Sequence, residues 1–338
     1  MPNWQRFPLD GKLLLFDRET GLNRLIDGGP AATCRQQAPR VLQVSLTNRC
    51  NKRCGFCYRP LAATSAWTFE EMLQLGRVAA DWGVLELAFG GGEPTVFPRF
   101  GELLRRLWEE TSICPNFTTN GLLLTPAFLE EIKGAYGQIQ LSVYDEDDTF
   151  GIIDTLVRAN ARFGLNYLVT PARLETLETD LLRFLAAGVR DVLLLSYKGS
   201  DPALHLSSGE LATLDETIAR LYEPLRSRMA LKVDVCWGSR LSLTPRLFET
   251  GNCGAGQLFC SISSDRRMLA CSFGDEHFDQ DEGAAGLPID DLREMPALWK
   301  TLRGAAPAAD APGCARLHGF GLGLLPATSL LRVRGRAD

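Results

Sequence analysis

From Arg40 to Cys236 the apolar residues arrive in two alternating textures. Short aliphatic and aromatic runs at Val41–Leu46, Leu85–Phe89, Ile113–Thr118, Ile139–Tyr144, Tyr167–Thr170, Val192–Tyr197 and Leu231–Val235 read as strands. Between them, apolar positions three and four apart predict helices over Phe69–Trp82, Phe100–Glu110, Ala127–Lys133, Ile152–Phe163, Leu177–Ala187 and Gly209–Leu225. Thr68 and Glu71 have the spacing of a capping box at the first of these. The alternation predicts an α/β fold whose mainly parallel sheet is joined by right-handed crossovers. Six β/α units fall short of the usual eight, so the expectation is a partial, TIM-like (β/α)6 barrel, with its chemistry at the C-terminal ends of the strands.

The flanks have a different character. Lys12–Phe16 and Leu22–Ile26 bracket the turn Asp17–Gly21, which predicts paired strands, and residues 1–39 read as an N-terminal hairpin extension. The barrel is placed at 40–236. Beyond it, cysteine, glycine and proline become frequent, and 237–325 reads as a small second domain. Residues 326–338, with Leu330–Asp338 as their core, read as a frayed tail.

The 338 residues are 45% hydrophobic and 23% charged, as in an ordinary globular enzyme. A net charge of −5 gives no reason to expect nucleic acid or an anionic membrane as partner. No apolar run reaches the length of a membrane span and the N-terminus lacks a signal-peptide core, so the cytoplasm is expected. Ten cysteines are many for a reducing compartment, and in a chain of this length they point to metal or cluster ligation rather than disulfides. Cys34, Cys114 and Cys236 stand alone and read as small buried hydrophobes.

Directly after the first predicted barrel strand comes Cys50-Asn-Lys-Arg-Cys54-Gly-Phe-Cys57. The spacing suits a loop wrapping one iron–sulfur cube while leaving one iron without a protein ligand, an open position where a small molecule can react. A zinc site with a distant fourth ligand is the alternative, although paired Cys-x2-Cys elements are its usual signature. Phe56 either packs this loop onto the barrel or offers its face to a flat ring. Phe89-Gly-Gly-Gly-Glu93-Pro94 ends the second strand, and its glycines allow close backbone approach. Thr118-Thr-Asn120-Gly121 and Ser142 end the next two. Each alone is an ordinary turn or hydroxyl. Together they occupy successive strand ends on one rim.

The cysteine loop, the aromatic before its last cysteine, and Gly-Gly-Glu-Pro about 35 residues on resemble the radical S-adenosylmethionine (SAM) superfamily over roughly residues 40–236. The resemblance implies a 4Fe–4S cluster on Cys50, Cys54 and Cys57, with SAM chelating the fourth iron. It implies that Gly91, Gly92 and Glu93 receive the SAM amino group, that Phe56 touches adenine, and, by a looser match, that Asn120 and Ser142 contact ribose or carboxylate. Further on, Cys253-Gly-Ala-Gly…Cys260…Asp265-Arg-Arg…Cys271 resembles the start of the auxiliary-cluster extension called SPASM or Twitch, with Arg266 where that pattern has glycine. With the distant Cys314, these thiols are enough to close one auxiliary 4Fe–4S cluster. Either Cys260 or Cys314 is alternatively a buried thiol, leaving three ligands. His277 and His318 are lone loop histidines and are assigned no role. The acidic run Asp145–Asp148 reads as a solvated loop or, alternatively, a contact for a cationic substrate group.

The resemblance implies reductive cleavage of SAM to a 5′-deoxyadenosyl radical that abstracts hydrogen from substrate, most of all a ribosomally made peptide that is crosslinked, epimerised or otherwise modified. It also implies a flavodoxin or ferredoxin as reducing partner. Only about 40 residues precede the barrel, short of a fused peptide-recognition domain, so the hairpin or a separate protein is expected to hold a leader peptide, by strand addition in the first case. A small-molecule substrate is one alternative, and a non-enzymatic two-cluster electron carrier or sensor is another. No catalytic acid or base is assigned. Cys236 could donate a hydrogen atom, and burial beside a strand end is the alternative.

Overall fold

The structure, a computed structural model, describes residues 3–57, 59, 65–144, 147–199, 201–244, 253–273, 286–305 and 330–334. Three strands open the chain: β1 (Gln5–Leu9), β2 (Lys12–Asp17) and β3 (Leu22–Asp27), with Leu14 opposite Leu25 in the antiparallel β2–β3 register. The expected pair therefore has a third strand before it.

The barrel portion alternates as its periodicity predicts. Strands β4 (Val41–Thr47), β5 (Glu86–Gly91), β6 (Cys114–Thr119), β7 (Ile139–Ser142), β8 (Phe163–Val169), β9 (Asp191–Ser196) and β10 (Ala230–Val233) run parallel in that spatial order. Helices α1 (Phe69–Trp82), α2 (Phe100–Glu110), α3 (Pro126–Glu131), α4 (Thr149–Arg158), α5 (Pro171–Ala186) and α6 (Ser208–Leu225) alternate with them. Thr68 and Glu71 do form the capping box, the Glu71 N–H donating to Thr68 Oγ1 at 3.3 Å and the Thr68 N–H to Glu71 Oε2 at 2.9 Å. The sheet stays open, an arc of parallel strands rather than a closed barrel.

One face of each strand joins the hydrophobic core under the helices: Leu42, Val44 and Leu46 on β4, Phe117 on β6, Ile139 and Leu141 on β7, Leu165 and Tyr167 on β8. The intervening positions are Gln43, Asn116, Gln140, Ser142 and Asn166, a polar inner face. Burying a polar side chain costs about 1–3 kcal/mol unless it is partnered, so a polar concave face marks a ligand-bearing hollow rather than a packed core. The Gln140 and Asn166 side-chain oxygens are buried there without protein partners.

The region after residue 237, expected as a separate small domain, shares this sheet. Strand β11 (Phe259–Ile262) pairs parallel with β4, and β12 (Arg267–Leu269) and β13 (Leu287–Pro288) follow antiparallel. Helix α7 (Met295–Ala305) comes next, and its buried Trp299 lies edge-on to Trp82 at 5.8 Å. The segment expected to fray, Leu330–Arg334, is strand β14 and pairs parallel with β3. An unpaired edge strand exposes a row of backbone donors and acceptors, and β14 satisfies that row on β3.

The N-terminal sheet docks on the strand starts. Arg18 donates to Thr111 O at 2.7 Å and Ile113 O at 3.2 Å, just before β6, and its guanidinium lies 4.4 Å over Trp108. Arg162, just before β8, donates to Glu19 O at 2.8 Å. The meander thus sits at the end of the barrel opposite the strand C-termini. Among the described residues no helix is long and apolar enough to cross a membrane.

Candidate active site at the strand C-termini

The Cys50–Cys57 loop leaves the end of β4, and its thiols are graded in exposure: Cys50 and Cys54 are half-buried and Cys57 is exposed. Burial is the main cause raising the Cys50 and Cys54 thiols above the ordinary range, and the neighbouring Cys57 adds to both. Lys52 opposes the shift at Cys54 through its charge, and its backbone N–H donates to Cys50 Sγ at 3.4 Å. Among the described residues, no three cysteine, histidine or carboxylate side chains converge as tightly as a single metal ion requires. A cube spreads its ligands over separate corners. Three thiols in mutual electrostatic reach, with an amide donor on sulfur, therefore fit a cluster.

The glycine turn is pressed onto that loop. Gly92 N–H donates to Thr47 O at 2.6 Å and Glu93 N–H to Arg49 O at 2.9 Å, so the turn and the loop entrance share a backbone ladder. Gly91 has φ +109°, and a Cβ there would lie 2.5 Å from Thr47 O. A Cβ on Gly92 would collide with the Arg49 carbonyl and stand 2.8 Å from Asn48 O. Both positions need glycine for this seating alone.

Glu93 is 2% exposed and both of its carboxylate oxygens accept hydrogen bonds. Oε1 accepts from Thr95 N at 3.1 Å, Thr95 Oγ1 at 2.6 Å and Thr119 Oγ1 at 2.7 Å, while Oε2 accepts from Asn120 N at 2.8 Å. Asn120 Nδ2 then donates to Asn51 Oδ1 at 2.7 Å, inside the cysteine loop. A chain of hydrogen bonds therefore runs from the β5 end through the β6 end into the loop. It brings Gly91, Gly92, Glu93 and Asn120 together with the thiols.

Phe56 stacks on Tyr144 with ring centroids 5.7 Å apart and planes at 14°. Tyr144 follows Ser142 by two residues on the same rim, and burial raises its hydroxyl above the ordinary range. Lys52 Nζ lies 4.3 Å over the Tyr144 ring and 2.7 Å from Asp147 Oδ2. Asp148 caps α4 by accepting Gly151 N at 2.9 Å. Of the described half of the acidic run, Asp147 is thus paired within the fold, while Asp148 is exposed at the start of α4. The run's other members, Asp145 and Glu146, lie outside the described residues. Tyr144, Lys52 and Asn51 were not singled out in the sequence, and Asp147 was read only as part of the acidic run. Tyr144 alone had a signal, its even spacing from Gln140 and Ser142.

Of the later cysteines, Cys253 and Cys271 are adjacent in the fold, since Gly256 N–H donates to Ala270 O at 3.1 Å. Cys260 is fully buried on β11 opposite Leu42, and burial alone raises its thiol to about 12. Cys314, His277 and His318 lie outside the described residues. Arg266, at the position where glycine was expected, adopts that residue's left-handed conformation with φ 65°. Its guanidinium pairs with Glu71, donates to Ala66 O at 3.1 Å and lies 5.0 Å over Trp67. The turn is kept, and the side chain fastens it to the start of α1.

A parallel, open α/β sheet thus carries a three-thiol loop and a Gly-Gly-Glu turn on one rim, the architecture of a partial barrel. Residues 44–164 match the Radical SAM superfamily. That family implies a 4Fe–4S cluster and SAM. The chain is similar to a PqqA peptide cyclase of Granulibacter bethesdensis, 37% identical over 115 residues, 33% of this chain and 30% of that protein. It is also similar to a probable GTP 3′,8-cyclase of Methanocella arvoryzae, 41% identical over 94 residues, 27% of this chain and 30% of that protein. The matches thus span about 30% of these curated relatives. In fold it resembles Streptococcus suis SuiB bound to S-adenosylmethionine, with TM-score 0.64 and 18% identity over 79% of this chain and 68% of that one. SuiB bound to its precursor peptide SuiA gives TM-score 0.66 and 17% identity over 83% and 70%.

Proposed function

We propose that this chain is a radical SAM enzyme acting on a ribosomally synthesised peptide, which it crosslinks, epimerises or otherwise modifies at a side chain. The observation that carries the reading is the shared ladder between the Gly-Gly-Glu turn and the cysteine loop. It holds the thiols and the turn's backbone at one strand-end rim above a polar hollow. When bound, the cluster and SAM supply a one-electron cleavage that yields a 5′-deoxyadenosyl radical able to take hydrogen from an unactivated C–H bond. Cys50, Cys54 and Cys57 would hold the cluster, and Gly91, Gly92 and Glu93 would orient the SAM amino group. The chain's own work is placement. Glu93 fixes Asn120 and Thr119, Asn120 fixes the loop through Asn51, and the Phe56–Tyr144 stack with Lys52 closes one side against water. Ser142 stands on the polar inner face and would contact the ribose or carboxylate of SAM.

A peptide substrate is supported by the likeness to the PqqA peptide cyclase and to the fold of SuiB with its precursor peptide. Were a leader peptide to add to the N-terminal sheet, six-residue strands set the meander about 20 Å from the cysteine rim, a span that about six extended residues cross. The second reading, a small-molecule substrate, is favoured by the likeness to the GTP 3′,8-cyclase. A second, auxiliary 4Fe–4S cluster held by the later cysteines is part of the proposal, and a flavodoxin or ferredoxin would deliver the electron.

The test is anaerobic reconstitution with SAM and dithionite, reading 5′-deoxyadenosine. The wild type should form it, and the Cys50→Ala/Cys54→Ala/Cys57→Ala variant should form none. Stimulation by peptides encoded beside the gene, with a mass change in the peptide, supports the peptide reading; stimulation by GTP alone supports the other. No nucleoside from fully loaded protein would overturn both.

A further inference from the structure

Resting on the proposed auxiliary centre, we infer that Cys236, and not Cys260, is the third described thiolate of that centre, beside Cys253 and Cys271. Two observations converge on this assignment, one placing Cys236 at the site and one removing Cys260 from it.

Cys236 follows the end of β10 in a short 3-10 turn that begins at Val235. Asp234 caps that turn, Oδ1 accepting the Cys236 N–H at 2.8 Å. The same carboxylate takes Lys198 Nζ at 2.8 Å on Oδ2, and Lys198 also donates to Ser196 O at 2.9 Å. Lys198 Nζ in turn lies 5.3 Å over the Phe273 ring, two residues beyond Cys271. One buried ammonium therefore clamps the β9 and β10 ends to the Cys271 segment, and the Cys253 turn is tied to that segment through Gly256 and Ala270. Cys236 lies within electrostatic reach of Lys198, Cys271 and Cys253.

Cys260 is excluded by strand parity. It sits opposite Leu42 and its neighbour Ile262 opposite Val44, and all four belong to the hydrophobic core beneath the helices. Ser261, between them, faces the other way and donates to Gln43 Oε1 at 2.9 Å. Turning Cys260 toward Cys253 and Cys271 would require a one-residue slip of β11, which would put Ser261 into the core. Three thiolates around one centre would repel one another, and the Lys198 ammonium beside Cys236 is placed to offset part of that repulsion.

The experiment removes the first centre with Cys50→Ala/Cys54→Ala/Cys57→Ala and counts iron and records reduced-state electron paramagnetic resonance of the anaerobically reconstituted chain. About four irons per chain should remain. Adding Cys236→Ala should lower that iron severalfold, and Cys236→Ser, which preserves size, should keep part of the iron and shift the resonance. Adding Cys260→Val should leave both readouts at the parent level. Full iron with an unchanged resonance in both Cys236 variants, or loss of iron in Cys260→Val with an unchanged melting temperature, overturns the assignment. No iron in the parent triple variant overturns the auxiliary centre itself and the assignment with it.

Discussion

Glu93 accepts the backbone N–H of Asn120 at 2.8 Å, so the residue that ends the glycine turn on β5 also fixes the tip of β6. Both oxygens of the turn's carboxylate are thereby tied to the β5 and β6 ends.

Replacing Glu93 by Gln puts an amide donor opposite the Asn120 N–H or the Thr119 hydroxyl. A buried group left unpaired costs about 1–3 kcal/mol, so Glu93→Gln should lower the thermal midpoint by several degrees. Thr95→Val removes a single hydroxyl bond to the carboxylate and should cost less. Calorimetry of the two variants checks the order, and equal midpoints would count against the network.

Gly92→Ala should displace the cysteine loop, because its Cβ would sit 2.8 Å from Asn48 O and collide with the Arg49 carbonyl. The expected result is a folded chain that takes up less iron at Cys50, Cys54 and Cys57. Gly90→Ala is the control, since a Cβ there meets nothing within 4 Å, and its circular dichroism and melting should match the parent. Comparable iron in both variants would refute the seating argument.

Thiol reactivity should report the Lys52 charge. Thiolate, not thiol, is the nucleophile, and Cys54 is raised above the ordinary thiol range mainly by burial, with Lys52 pulling it back. In iron-free protein, alkylation of Cys54 should lag a free cysteine at pH 8 and accelerate as pH rises. Lys52→Met removes the opposing charge, so the profile should move to still higher pH. A shift in the other direction, followed by mass spectrometry of the alkylated peptide, would show that the Lys52 charge does not lower the Cys54 thiol.

Arg266→Ala should be worse than Arg266→Gly. Both lose the Glu71 pair and the Trp67 face, but alanine retains the left-handed backbone cost of about 1–2 kcal/mol that glycine relieves. Urea midpoints should rank wild type, Gly, Ala. Glu71→Gln should also destabilise, by about 1 kcal/mol, since it weakens the capping box as well as the pair. Although burial works against it, Glu71 is held below the usual carboxylate range by Thr68 and Arg266. That contribution is present above the unfolded value near 4.5 and fades as pH falls through the lower folded value.

The sequence alone determined what nearest neighbours decide. Strand and helix alternation, the Thr68–Glu71 box and the spacing of Cys50, Cys54 and Cys57 are all set within a few residues, where backbone periodicity and loop length leave few options. The tertiary structure decided everything that depends on which strand lies beside which. β11 pairs with β4, and that pairing turns Cys260 into the core; the alternation Phe259-Cys-Ser-Ile262 held the hint, but not the partner. Two strand ends meeting over Lys198 carry Cys236 toward Cys271, and the Lys52–Asp147 pair joins residues 95 apart. Such contacts follow from packing and from satisfying buried charge across the sheet, and no local pattern encodes them.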